Sequence, residues 1–242
     1  MIKIYNEDCI DGMNWIPDAS IDFILCDLPF GTTQNEWDTP IPLDALWKQY
    51  KRIIKEHGAI CLFAQTPFSI QLGASNLSWL RYEWIIEKKL ASGFLNCNRM
   101  PLKAHEQVLV FYKHLPTYHP QMIPVENGAY HRGGSGHTSN YGTFHSGVSR
   151  TYGNERFPRD VLPVSNGWKR KELKLHPTQK LVSVCKYFIE TYTNEGDVVL
   201  DNCMGSGSTG VACLETRRNF IGFEKDPHFF CIAKKRIESI LA

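Results

Sequence analysis

Val199-Leu200-Asp201-Asn202-Cys203-Met204-Gly205-Ser206-Gly207-Ser208-Thr209-Gly210 decides the architecture of this 242-residue chain. A buried-strand pattern from Asp197 to Asp201 runs into a glycine-rich loop, and a helical pattern resumes behind it. Glycine lets the backbone turn tightly and come close to a ligand. The N-terminus of the following helix offers free N–H groups and the positive end of a dipole to a carboxylate or phosphate. Glu224 closes the next strand, Phe220 to Phe223, where a carboxylate can accept hydrogen bonds from ribose hydroxyls. An adenosine-containing cofactor is the natural occupant. Gly205, Gly207 and Gly210 also satisfy the G-x-G-x-x-G spacing, so a nicotinamide cofactor competes, and a tight turn with no ligand is the bland alternative. No Gly-Lys-Ser/Thr occurs in the loop, which excludes a P-loop. Only one strand follows, so the rest of the sheet has to come from the N-terminal half, in a circularly permuted order.

The N-terminal half supplies such strands. Ile2 to Tyr5, Ile21 to Cys26, Ala59 to Ala64, Tyr82 to Glu87 and Gln107 to Tyr112 read as strands. Ile21 to Cys26 is apolar throughout except Asp22, the pattern of a strand covered on both faces. A short helix is expected near Cys9 to Trp15, and apolar residues from Leu43 to Ile54 recur with a helical period. Leu181, Val184, Cys185, Phe188, Ile189 and Tyr192 mark one face of another helix, and Asp226-Pro227 opens the last one. Strands and helices in alternation predict a doubly wound, mostly parallel, seven-stranded sheet of Rossmann-like kind. Between His114 and Leu175 the periodicity collapses into Gly, Ser, Asn, His, Tyr and Arg. A loop of that length inside a compact domain is usually functional or disordered. The chain thus divides into 1–113 with 176–242 as one domain and 114–175 as an insertion.

Asp27-Leu28-Pro29-Phe30 directly follows the strand ending at Cys26, at the carboxyl end where open α/β sheets hold ligands. An acid there accepts hydrogen bonds from an amino group, an aromatic ring stacks on a base, and Pro29 fixes the turn so that the Leu28 carbonyl can take a second amino hydrogen. Taken alone, a capping Asp and a core Phe explain the tetrapeptide equally well.

Composition narrows the class. Net charge is +2, yet Arg150 to Lys180 alone holds eight basic and three acidic residues. None of the eight cysteines forms a C-x-x-C pair and most lie in apolar runs, as buried thiols of a cytoplasmic protein do. No signal peptide or membrane-length apolar run is visible. His114, His119, His131, His137 and His145 match no standard zinc spacing, so no metal is expected.

Together these motifs resemble the permuted β-group DNA amino-methyltransferases. Asp27 to Phe30 is similar to that family's Asp-Pro-Pro-Tyr/Phe motif, Asp201 to Thr209 to its cofactor loop, and His176-Pro177-Thr178-Gln179-Lys180 to the motif before the cofactor strand. Asn6 to Cys9 resembles the acidic turn facing the cofactor's adenine, and His105 to Lys113 the strand before the recognition region. Five matches in order span most of the chain outside His114 to Leu175. Leu28 stands where the family usually has Pro, and Asn202-Cys203 where it usually has Pro-Phe.

The resemblance implies a Rossmann-like methyltransferase fold and S-adenosylmethionine as cofactor, leaving S-adenosylhomocysteine as product. It implies methyl transfer to N6 of adenine in double-stranded DNA, by base flipping and direct in-line displacement. Asp27, Leu28, Pro29 and Phe30 would be catalytic. Asp8, Cys9, Asp27, His176, Thr178, Lys180, Asp201, Cys203, Gly205, Ser206, Gly207, Ser208 and Glu224 would line the cofactor pocket. Residues 114–175 would read the target, with Arg132, Arg150, Arg156 and Arg159 as DNA contacts. A homodimer and a separate restriction endonuclease are compatible partners. Three alternatives stay open: cytosine-N4 methylation, whose enzymes usually carry Ser in place of Asp27; an RNA substrate; and a silent nucleic-acid-binding subunit. A dehydrogenase leaves Asp27 to Phe30 unexplained.

Overall fold

The computed structural model describes residues 1–31, 38–125, 131–132, 136–138, 142–144, 150–151, 154–164 and 179–241. The chain divides into two compact units, one made of Met1–His119 with Asp160–Ala242 and the other of Pro120–Arg159.

The larger unit contains β1 (Ile2–Tyr5), α1 (Cys9–Met13), β2 (Ile21–Asp27), α2 (Leu43–Ile53), β3 (Ile54–Ala64), α3 (Phe68–Ser75), β4 (Leu80–Ser92) and β5 (Lys103–Phe111). The smaller unit holds β6 (Ile123–Pro124), β7 (His131–Arg132), β8 (Gly136–Thr138), β9 (Gly142–Phe144), β10 (Arg150–Thr151) and β11 (Glu155–Arg156). These pair antiparallel as β6 with β11, β7 with β10 and β8 with β9. The larger unit then resumes with β12 (Val161–Val164), α4 (Val182–Tyr192), β13 (Val198–Asp201), α5 (Ser208–Glu215), β14 (Asn219–Phe223) and α6 (Pro227–Leu241).

One sheet organises the larger unit, in the order β1-β14-β13-β2-β3-β5-β4-β12. All neighbours are parallel except β5, which runs antiparallel to both β3 and β4. The expected doubly wound, mostly parallel sheet is present, with eight strands rather than seven. The eighth is β12, from the stretch where apolar periodicity is weakest: Val-Leu-Pro-Val is too short to give a period, and it pairs at the sheet edge where Pro163 is tolerated. The C-terminal strands β13 and β14 lie inside the sheet between β1 and β2, which is the permuted order.

Side chains of β2 show why the run is apolar. Phe23 and Leu25 point into a core built with α4, α5 and α6, while Ile24 and Cys26 point into a second core with α1, α2 and α3. A strand covered on both faces has no polar side to present. Asp22 is the exception, and both its oxygens are engaged: one meets Lys55 Nζ at 2.7 Å, the other accepts the Val198 N–H at 2.9 Å. That bond ties the first residue of β13 to β2. In the glycine motif, a Cβ on Gly210 would stand 2.7 Å from Ile237 Cδ1 and 2.8 Å from Phe220 Cε1, so this glycine lets α5 pack closely on α6 and β14.

Phe23 is fully buried and stacks on Tyr192 with ring centroids 5.5 Å apart. Phe23→Ala should therefore lower stability by about 3–5 kcal/mol, through lost burial and the cavity left behind. Urea denaturation of the two proteins checks it.

Candidate active site

Strand order creates the site. From β13 the chain winds outward to β14, and from β2 it winds the other way to β3, so winding reverses between two hydrogen-bonded neighbours. Ligands of open α/β sheets sit at such a switch point, beyond the carboxyl strand ends. Here β13 ends at Asp201 and β2 at Asp27, which brings together the two motifs read from the sequence. A cleft of about 1260 Å³ opens above them.

Asp201 organises the cofactor-type loop from below. It is almost wholly buried. Its Oδ2 accepts the Thr209 hydroxyl at 2.6 Å and its Oδ1 the Cys203 N–H at 3.1 Å, so one carboxylate clasps both ends of the loop. Burial pushes its pKa up to about 7, against the lowering effect of those bonds. Gly205 and Gly207 adopt left-handed φ values of +52° and +79°. Among the described residues no atom lies within 4 Å of where a Gly205 Cβ would be, so the loop presents bare backbone there. Glu224 holds the loop from β14: Oε2 accepts the Gly205 N–H at 2.9 Å and Oε1 the Asp226 N–H at 2.8 Å. The Lys225 N–H also reaches this carboxylate, which keeps acceptor capacity for one further donor. Burial pushes the Glu224 pKa up against those bonds. Arg236 reaches from α6 to the Ser206 carbonyl at 3.2 Å and the Ser208 hydroxyl at 3.0 Å, while Ser208 donates to the Lys180 carbonyl at 2.8 Å.

Asp27 has two oxygens with different fates. Oδ2 meets Lys180 Nζ at 3.0 Å. Oδ1 is buried and has no hydrogen-bond partner among the described residues. A buried acceptor left unmatched costs free energy, and its persistence at a cleft marks a place for a ligand donor. Lys180 also binds Glu106 at 3.2 Å and sits 4.8 Å from the centre of the Phe63 ring; Glu106 in turn meets Lys88 at 3.4 Å. Charges thus alternate along Asp27, Lys180, Glu106 and Lys88. Burial raises the Asp27 pKa, and the Lys180 charge opposes it. Burial works against the Lys180 ammonium, but Asp27 and Glu106 outweigh it and hold its pKa above that of an ordinary lysine. Burial likewise opposes ionised Glu106, yet the two lysines keep its pKa low.

The turn after Asp27 is fixed by a residue that no motif singles out. Buried Asp38 accepts the Phe30 N–H at 2.8 Å and the Gly31 N–H at 2.9 Å through one oxygen. Phe30 stacks on Phe68 at 5.1 Å, part-exposed towards the cleft. Leu28 is buried in the core. Asp38 was illegible because it lies eleven positions beyond Asp27, outside any periodic segment. Glu106 carried a faint signal, as the acid just ahead of the apolar run Val108 to Phe111.

Three thiols meet beneath the cleft. Asn202 Nδ2 points at Cys9 Sγ and Cys203 Sγ, 3.6 and 3.5 Å away, while its Oδ1 accepts the Tyr50 hydroxyl at 2.5 Å. Hydrogen bonding to Cys203, then burial, raises the Cys9 pKa. Hydrogen bonding to Cys26 and burial raise that of Cys203. Burial pushes Cys26 up to about 12. None of the three is a thiolate at neutral pH.

Asp8, Cys9, Asp27, Leu28, Pro29, Phe30, Lys180, Asp201, Cys203, Gly205, Ser206, Ser208 and Glu224 all line this one cleft. Asp8 caps α1 by accepting the Ile10 N–H at 2.9 Å, and its second oxygen lies 3.5 Å from Lys225 Nζ. Gly207 sits behind, with Ala233 Cβ 3.1 Å from the position of a Cβ. His176 and Thr178 lie outside the described residues. Arg132 and Arg150 are backbone partners in the ladder of β7 and β10, Arg156 pairs with Ile123 in the ladder of β11 and β6, and Arg159 is exposed. Among the described residues no group of His, Cys, Asp and Glu could hold a metal ion, and no helix is long and apolar enough to cross a membrane.

Fold and site define a doubly wound α/β protein with a cleft at its switch point, lined by a glycine-rich loop and a half-engaged carboxylate. Residues 21–235 match the N6/N4 DNA methylase family, and the chain belongs to it. The chain is 24% identical to the DNA adenine methyltransferase YhdJ of Escherichia coli, over 97% of this chain and 82% of that protein. Among solved structures, the M1.HpyAVI complex with SAM superposes with a TM-score of 0.67 at 23% identity, covering 98% of this chain and 99% of that one. PvuII DNA methyltransferase, which is cytosine-N4-specific, superposes with a TM-score of 0.68 at 16% identity, covering 99% and 90%. At these identities the structures speak for the fold alone.

Asp201 makes a pH-dependent contribution to stability. Its folded pKa of about 7 lies above that of an unfolded aspartate, so the folded state binds the proton more tightly. The contribution is present in acid and is lost as pH rises from the unfolded value through about 7. Asp201→Asn should flatten that decline relative to wild type, read as urea midpoints across the range. Parallel profiles for the two proteins would contradict the assignment.

Proposed function

We propose that this DNA methylase transfers a methyl group to N6 of adenine in double-stranded DNA, using S-adenosylmethionine. The observation that carries the reading is the buried Oδ1 of Asp27 at the switch-point cleft, which has no partner among the described residues. An exocyclic amino group is the donor it lacks.

The cleft fits the cofactor. Gly205 presents open backbone, Glu224 keeps acceptor capacity for ribose hydroxyls, and Asp8 stands at the start of α1 where an adenine ring would be met. Bound there, S-adenosylmethionine supplies a methyl group activated by its sulfonium. Asp27 accepts one amino hydrogen of the target and the Leu28 carbonyl the other, which favours a pyramidal nitrogen with an available lone pair. Lys180 opposes the upward push of burial on the Asp27 pKa and holds Oδ2 at 3.0 Å, which leaves Oδ1 to meet the target amino group. Phe30, its ring braced on Phe68, offers a face on which the base stacks once it has left the duplex. After transfer the methylated nitrogen sheds a proton, and Asp27 is the base in reach. Protonated thiols at Cys9, Cys26 and Cys203 agree with direct transfer without a cysteine nucleophile. Asp27 rather than Ser favours adenine over cytosine, as does the adenine specificity in YhdJ's name. Residues 114–175 are assigned target recognition, with Arg132, Arg150, Arg156 and Arg159 on phosphates or base edges.

The test is methyl transfer from radiolabelled S-adenosylmethionine to unmethylated genomic DNA, with separation of the digested nucleosides. Label is expected in N6-methyladenine, and Asp27→Ala should lower it by about a hundredfold or more, as losing a positioned catalytic group does. Label in N4-methylcytosine would keep the mechanism and change the base. Label in RNA alone, or nowhere with cofactor bound, would overturn the reading.

Lys180→Met tests the ion pair separately. With its counter-charge gone, buried Asp27 should hold its proton to higher pH, shifting the acid limb of the kcat profile upward. An unmoved acid limb would show that Lys180 does not govern Asp27.

A further inference from the structure

The hairpin formed by β4 and β5 carries a surface the mechanism does not use. Its ladder is interrupted between the Glu87/His105 and Ser92/Lys103 pairs, and the connection beyond turns through left-handed Gly93 into a single 3-10 turn, Phe94–Asn96. That tip is apolar in water: Phe94 is 75% exposed and Leu95 98%, with Leu90, Met100 and Leu102 exposed behind them. From Lys88 to Lys103 every charged residue is basic, namely Lys88, Lys89, Arg99 and Lys103. The base of the arm, at Lys88, Lys89 and Ser92, lines the cleft itself. Exposed aromatic and aliphatic side chains flanked only by cations, rooted at the mouth of a site that takes a flipped base, match a duplex with a gap in its stack. Apolar wedges fill such gaps and offset the cost of unstacking.

We propose that the β4–β5 arm enters the duplex beside the target, with Phe94 and Leu95 occupying the space the flipped base vacates and Lys89 and Arg99 on the flanking phosphates. This role rests on the DNA-methylation reading above. Both apolar side chains stand in solvent, so replacing them leaves the fold intact.

The experiment uses the full chain. The methylated site is first mapped on genomic DNA treated with the wild-type protein. Two duplexes are then built on it, one fully paired and one with an abasic position opposite the target. Phe94→Ser with Leu95→Ser should leave S-adenosylmethionine affinity unchanged by calorimetry. Transfer to the paired duplex should fall roughly tenfold or more, and most of that loss should vanish on the abasic duplex, where flipping is already cheap. Equal losses on both duplexes overturn the wedge. A change from dimer to monomer in light scattering also overturns it, by giving the tip to a second copy of the chain. Lys89→Ala with Arg99→Ala should make the salt slope of DNA binding shallower by about two phosphate contacts, and an unchanged slope removes the arm from the backbone. A wild-type protein that methylates no DNA fails before any substitution, which overturns the underlying reading and this one together.

Discussion

The pairing of β13 with β2 is the constraint on which the site depends. These strands are 176 positions apart at the Asp22 to Val198 hydrogen bond, yet they lie side by side in register. Because the chain winds away from them in opposite directions, a cleft opens above their shared carboxyl ends. Asp201 and Asp27 therefore face the same opening, and each acid acts according to what surrounds it. Asp201 turns inward and spends both oxygens on its own loop. Asp27 is half engaged, with one oxygen on Lys180 and the other without a partner among the described residues. One carboxylate builds the loop, and the other is the one proposed to meet the target base.

Burying Asp27 at all requires the neighbouring cation. A lone carboxylate in that position would take up a proton and become a donor, and so lose its use as an acceptor. Lys180 works against this, and Glu106 with Lys88 keeps Lys180 from being an isolated buried cation in turn. The alternation runs along the cleft lining from Asp27 to Lys88, whose side chain is still mostly buried. A single lysine could have served a surface aspartate; burial is what demands the longer chain of partners.

The fold and the two motifs were legible because they rest on local rules. Ile21 to Cys26 reads as a doubly covered strand, and the glycines after Asp201 read as a tight turn, since both facts follow from what adjacent residues can do. The partners of Asp27 were not legible. Lys180 could be singled out as a site residue, but that its ammonium bridges Asp27 and Glu106 is a property of two strands and a loop meeting. Asp38 had no signal, because an Asx-type grip on two N–H groups has no period. The strand pattern at Tyr82 to Glu87 stopped short of the hairpin's full extent, because residues beyond Glu87 are exposed and lack alternation.

Departures from the family's usual motif have local answers. Where Pro would stiffen the turn, Leu28 instead anchors its side chain in the core between β2 and α2, and Asp38 clamps the two N–H groups that follow. Stiffness lost from the backbone is returned by a hydrogen-bonded carboxylate. Where Pro-Phe would follow Asp201, Asn202 is instead fixed by Tyr50 and directed at two thiols, a small polar network that fills the space of a ring. Both exchanges move rigidity from covalent geometry to side-chain packing, which holds only while Tyr50, Leu28 and Asp38 stay buried. The chemistry above the loop then depends on the integrity of the core below it, so substitutions deep in α2 should reach the reaction without touching either ligand.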